Sequence, residues 1–216
     1  VGSALNVTGV ATFDSGVSNI TLTEQNRFGS VSLLGNSVTV NEVDDTIIDS
    51  AIVDDLVYTS GGDISASGLV SVENLAVFEA PGSAITLNNV GNSFGTLDLN
   101  ASDIEIVESN DTRLAEVNAG STLSITSAGS ITDVGASTIS VAEGTLVAGG
   151  EIIIGDTPND SVSFINVSLT GTNVRFTESD STIIRGVNAQ TLDLSSGGQI
   201  TQTVDGVVDV TGIAVF

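Results

Sequence analysis

Self-similarity restricts the folds open to this chain more than any other feature of its 216 residues. The run Leu5-Asn6-Val7-Thr8-Gly9-Val10-Ala11-Thr12-Phe13 returns as Val208-Asp209-Val210-Thr211-Gly212-Ile213-Ala214-Val215-Phe216. Between them, Val70 to Phe78 and Ile139 to Ala148 hold the same place. Ile20-Thr21-Leu22 matches Ile85-Thr86-Leu87 and Ile152-Ile153-Ile154, and Asn26 to Leu33 matches Asn92 to Leu99, with Val167-Ser168-Leu169 in the next copy. Leu56 to Ile64 matches Leu123 to Ile131 and Leu192 to Ile200. The copies cover residues 4–67, 68–136 and 137–205, with the start of a fourth over 206–216. Their period is therefore roughly 65 to 70 residues. The chain starts and stops inside this pattern, so we expect it to be a segment of something longer.

Within a copy, Val38-Thr39-Val40, Ile104-Glu105-Ile106 and Leu192-Asp193-Leu194 alternate apolar and polar, the signature of strands with one buried face. Gly35-Asn36, Ser60-Gly61-Gly62, Gly149-Gly150 and Ser195-Ser196-Gly197-Gly198 punctuate them as turns. No stretch carries uninterrupted helical spacing. Each copy divides into about three coils of roughly 20 to 25 residues, the scale on which solenoids wind. The expected fold is all-β, a parallel β-helix (β-solenoid) running through residues 1–216. Tandem β-sandwich domains are the rival, but they need roughly 90 to 100 residues and a large core aromatic. Aromatics make up only 4% of this chain, so Val, Ile, Leu and Ala must fill the interior.

The same composition removes most catalytic chemistry. The chain has no Cys, Met, Trp or His, and its four basic residues are Arg27, Arg113, Arg175 and Arg185. An imidazole base, a thiolate nucleophile, a soft metal ligand and a Schiff-base lysine are thus unavailable. A formal charge of −23 repels phosphate backbones and anionic lipid, which argues against nucleic-acid binding and membrane insertion. Val1 to Val10 show no secretory leader, and no run is long enough for a membrane helix.

The charge points instead to cations. A recurring acidic turn reads Glu42-Val43-Asp44-Asp45-Thr46, then Glu108-Ser109-Asn110-Asp111-Thr112, then Glu178-Ser179-Asp180-Ser181-Thr182. Carboxylates repeated along one side of a solenoid could share Ca²⁺, which takes oxygen ligands. The candidate ligands are Glu42, Asp44, Asp45, Glu108, Asp111, Glu178 and Asp180. Asp, Asn and Ser also make turns, which explains them without a metal. Asp54, Asp55 and Asp63 form a second acidic patch, where paired carboxylates could in principle hydrolyse a glycoside; Tyr58 and Arg27 are its nearest sugar-holding groups in sequence. Asp156-Thr157-Pro158-Asn159-Asp160 breaks the repeat, and its Pro158, like Pro81, is expected in an exposed turn. Phe13, Phe78 and Phe216 share one repeat position and are expected to stack in the core. Asn6, Asn19, Asn100, Asn110, Asn159 and Asn166 begin N-x-S/T triplets, which matter only in a glycosylating host.

Ile85-Thr86-Leu87-Asn88-Asn89 leading into Asn92-Ser93-Phe94-Gly95 resembles the long repeats of filamentous-haemagglutinin-type adhesins and similar giant bacterial surface proteins. So does Leu123 to Asp133, which recurs as Leu192 to Gln202 and more loosely as Leu56 to Ser65. The resemblance covers nearly the whole chain. It implies an exported, right-handed β-helix at the bacterial cell surface, serving as a non-catalytic stalk, matrix component or filament. The implied partners are further copies stacked end to end or, for an adhesive module, a host receptor or polysaccharide. A polysaccharide-processing β-helix enzyme is the third reading.

Overall fold

The computed structural model describes residues 2–216, which contain strands and no helix. They fall into two compact units, one ending at Glu108 and the other Ser109–Phe216. Each unit is a stack of parallel coils, and the chain makes about 10 turns of roughly 20 residues each.

The first unit holds β1 (Asn6–Asp14), β2 (Ile20–Glu42), β3 (Thr46–Ser60), β4 (Ile64–Ala66), β5 (Val70–Leu87) and β6 (Ser93–Glu108). Its ladders are parallel throughout: Ala11 pairs with Val31, Leu33 with Ala51, Val38 with Leu56, Leu56 with Ala76, and Ala76 with Leu97. The second unit holds β7 (Thr112–Ser127), β8 (Ile131–Ala148), β9 (Ile152–Ile154), β10 (Ser161–Thr170), β11 (Asn173–Glu178), β12 (Thr182–Ala189), β13 (Thr191–Ser196), β14 (Ile200–Val210) and β15 (Ala214–Val215). Here Leu123 pairs with Gly144, Ile139 with Val162, Val174 with Leu192, and Leu192 with Ala214.

The longer strands are bent, and β3 shows how. Thr46 and Ile48 point inward, then Ala51 and Val53, then Leu56, Tyr58 and Ser60, while Asp49-Ser50 and Asp54-Asp55 fall between these groups at partly exposed positions. Two inward residues spaced by two, followed by a two-residue corner, wind the chain around a narrow core. Parallel stacking then places Val40, Tyr58 and Phe78 in one interior column, and all three are buried. Such columns let β-branched and aromatic side chains fill the interior at close-packed density. Aromatic pairs meet edge to face at 5.4 Å for Phe13–Phe28, 6.0 Å for Phe78–Phe94 and 5.4 Å for Phe164–Phe176, a favoured ring arrangement.

Three expectations meet the structure here. The all-β parallel solenoid is what forms. Pro81 and Pro158 are both exposed, with Gly82 in the left-handed region at φ 81° to complete the turn within β5. Phe78 lies fully inside and Phe13 is partly buried, but Phe216 is 67% exposed.

Candidate functional site

The acidic turns are corners of the coil, and their glutamates point inward. Alternation along β2 buries Val38, Val40 and then Glu42, and the same phase carries Ile104 and Ile106 on to Glu108, and Val174 and Phe176 on to Glu178. All three carboxylates are buried. Each accepts a main-chain N–H from the preceding coil: Phe28 to Glu42 Oε1 at 2.7 Å, Phe94 to Glu108 Oε1 at 2.8 Å, and Phe164 to Glu178 Oε1 at 2.6 Å. The separation is 14 residues every time. A buried N–H must find an acceptor, and a buried carboxylate must find donors, so each group meets the other's need.

In the first copy the glutamate is fully engaged. Glu42 Oε2 accepts the Thr46 hydroxyl at 2.7 Å and the Tyr58 hydroxyl at 2.6 Å. Burial, the neighbouring carboxylate and the hydrogen bond to it hold the Tyr58 phenol protonated far above its ordinary range, with a smaller opposing pull from Thr46. In the third copy Leu194 occupies the place of Tyr58, since Glu42 lies beside Ser60 and Glu178 beside Ser196 in register. Burial there pushes Glu178 up to about 7; Thr182 and the Phe164 N–H offset it in part, and the charge of Asp180 adds to it.

The aspartates of these turns hold backbone. Asp45 Oδ1 accepts the Asp63 N–H at 3.0 Å, Asp111 Oδ1 accepts the Ser130 N–H at 2.7 Å, and Ser181 Oγ accepts the Gln199 N–H at 3.2 Å at the matching place. Ser60, Ser127 and Ser196 seal the same corners by donating to the carbonyls of Asp44, Asn110 and Asp180 at 2.6, 2.6 and 2.5 Å. Gly62 and Gly129 pack so closely over the turns that a Cβ would come within 2.8 Å of Asp45 N and Asp111 N. Asp44 pairs with Arg27 at 2.5 Å, and Asp180 accepts the Ser163 hydroxyl at 2.9 Å.

The structure therefore places the cation candidates Glu42, Asp45, Glu108, Asp111 and Glu178 in hydrogen bonds to the main chain at corners, and Asp44 and Asp180 in side-chain contacts with Arg27 and Ser163. Asp54 and Asp55 form one corner, whereas Asp63 stands at the Gly61-Gly62 corner and accepts the Ala84 N–H at 2.9 Å.

Among the described residues, the three carboxylates with oxygens within 4.8 Å of one another are Asp133, Asp156 and Asp160. They meet where the third copy departs from the others. Asn26 and Asn92 fix this loop in the first two copies: their Oδ1 atoms accept the N–H of Leu5 at 2.9 Å and of Val70 at 3.0 Å. Their amides donate to main-chain carbonyls, including Leu22 and Leu87, each at 3.0 Å. Asp160 takes over the acceptor half, receiving the Ser137 N–H at 3.1 Å and the Thr157 N–H at 2.7 Å. It cannot donate as the amide does. Asp133 Oδ2 accepts the Ser137 hydroxyl at 2.5 Å and the Gly155 N–H at 3.1 Å.

Burial pushes Asp133 up, against the Ser137 and Gly155 donors, and the charge of Asp160 adds to the rise. For Asp160, burial is outweighed by the donors on Thr157, Ser137 and Ala136, and the group stays below its ordinary range. Arg175 approaches Asp156 at 3.9 Å. Chemically, three converging carboxylates offer hard oxygen ligands of the type Ca²⁺ and Mg²⁺ take. The sequence marked this loop by Pro158 and by its break in the repeat; Asp133, distant in sequence, carried no such signal.

Comparison with known proteins adds a family and little else. A model described as repeats of unknown function (DUF5649) matches residues 1–34, 35–100 and 101–168. No curated protein and no solved structure matches the chain.

Proposed function

The chain belongs to the DUF5649 family of repeats, and from that premise we propose that it is a non-catalytic structural repeat region of an extracellular bacterial surface protein or fibre. The observation that carries this reading is how its polar side chains are used. At corner after corner, Glu, Asp, Asn and Ser bond the main chain of a neighbouring coil. These residues hold coils together, which suits a chain whose job is to be a stiff, soluble element carrying other parts. The likeness to filamentous-haemagglutinin-type repeats and the high negative charge support a place at the cell surface, with continuation of the stack by further coils as its natural partner.

An adhesive module is the second reading, favoured by one feature of the first unit. Leu34 and Ile52 are 41% and 54% exposed, sit in one outward column, and line an open groove with Thr12, Phe13, Ser32 and Ser50. Labelling intact source cells with antibodies to this chain, then deleting the repeats, separates the two. The structural reading expects surface labelling and a thinner projecting layer with attachment per exposed tip unchanged. Attachment lost from a layer of unchanged thickness would overturn it in favour of the adhesive module, and labelling only after cell lysis would overturn both.

A further inference from the structure

We infer that Glu178 is a protonation-dependent strut of the second unit: as a neutral acid it closes the corner formed by β10, β11 and β12, and on ionisation it loosens that corner.

The geometry comes from comparing equivalent glutamates. Glu42 meets three donors, the Phe28 N–H, Thr46 hydroxyl and Tyr58 hydroxyl, which engage both of its oxygens inside the core. Glu178 is equally buried, yet its one fully formed hydrogen bond is from the Phe164 N–H to Oε1, with the Thr182 hydroxyl near enough only to pull its titration down in part. Glu178 Oε2 and the buried Thr182 Oγ1 lie without hydrogen-bond partners. The difference traces to the interior column. Val40 and Tyr58 occupy it in the first copy, and Phe176 and Leu194 in the third, so an alkyl group replaces the phenol that would reach Oε2. A proton on Glu178 makes its carboxyl a donor as well as an acceptor and removes a buried charge for which the site has one strong donor.

The surrounding elements bring no compensating cation. From β11 itself, Arg175 faces Asp156, and Asp193 of β13 stands opposite Arg175. Beside β9, Glu151 accepts from Asn173, and on β12 Arg185 is paired with Glu143 of β8. Burial pushes Glu178 up to about 7, against the pull of the Thr182 hydroxyl and the Phe164 N–H, and the charge of Asp180 adds to the rise. Closure is thus favoured on the acidic side of neutrality and lost as the pH rises through that value.

Carbon-13 NMR of the whole chain, labelled at glutamate carboxyls, tests this between about pH 4 and 9. We expect one glutamate to titrate at about 7, against an ordinary 4.5, and its signal to vanish in Glu178→Gln. The amide exchange of Phe164 should accelerate through this range beyond the intrinsic effect of pH, and Glu178→Gln, a permanently neutral mimic, should abolish the excess. Rebuilding the first copy's column with Phe176→Val and Leu194→Tyr should lower the glutamate's titration by more than about one unit. If this variant does not fold, the wild-type titration and Glu178→Gln still decide. Titration of Glu178 with the ordinary carboxylates, or excess exchange that survives Glu178→Gln, would overturn the inference.

Discussion

Tyr58→Phe tests how much a corner glutamate contributes, because it deletes one oxygen and leaves the ring in place. Tyr58 is fully buried, and its hydroxyl donates to Glu42 Oε2 at 2.6 Å. Removing one partner of a buried hydrogen bond costs roughly 1 to 3 kcal/mol. Phe fills the same space, so little cavity cost is added, and about 2 kcal/mol is the expected loss. In a unit of this size that corresponds to a fall in midpoint of roughly 10 °C. Thermal unfolding followed by far-ultraviolet circular dichroism measures it.

Specificity comes from a double-mutant cycle with Glu42→Gln. Two residues sharing one contact should not add, and the coupling should reach about 1.5 kcal/mol. A loss below about 0.5 kcal/mol, or additive losses in the double variant, would show that the Tyr58–Glu42 contact does not hold the corner.

Tyr58 is the only tyrosine in a chain without tryptophan, so its ionisation can be followed by absorbance. Because burial and Glu42 hold the phenol protonated, the tyrosinate signal should appear together with loss of strand structure on alkaline titration. Ionisation of the folded chain near the ordinary value would refute this. Gly62→Ala should destabilise the first unit by about 1 to 3 kcal/mol in chemical denaturation, since its Cβ would meet Asp45 Oδ1 and crowd Asp45 N. Asp160→Asn leaves one acceptor oxygen for two main-chain donors, the Ser137 and Thr157 N–H groups; without divalent cations it should lower the stability of the second unit by roughly 1 to 3 kcal/mol, and an unchanged or raised midpoint would refute the account of this loop. For Glu178, a folded titration at about 7 against 4.5 makes its contribution fully present below the lower value and lost as pH rises through the upper one. The span is worth about 3 kcal/mol, read as the difference between wild type and Glu178→Gln in denaturation at acidic and alkaline pH.

The fold was legible because stacking coils repeat their spacing along the chain. Glycine clusters and short alternating runs marked strands and turns, and the period matched a solenoid. The corners were less legible. Alternation already placed Glu42 two positions beyond Val40 on the inward face, but a carboxylate in a turn-like setting reads as solvent-facing. The signal that could have corrected this is the constant spacing from Phe28 to Glu42, Phe94 to Glu108 and Phe164 to Glu178, followed four residues later by Thr46, Thr112 and Thr182. Phe164 was hard to align because the Asp156 to Asp160 loop shifts it relative to the earlier copies. The cluster of Asp133 with Asp156 and Asp160 could not be read from spacing, since it depends on which coil lies next to which.

The most direct test of the central claim, that the recurrent acids are internal ties between coils, is amide exchange at Phe28, Phe94 and Phe164 with and without a divalent-cation chelator. The account predicts that these three amides are among the slowest in the chain and that chelation leaves them unchanged. Loop-like exchange, or protection that disappears with the chelator, would contradict it and return the acidic turns to the role of cation sites.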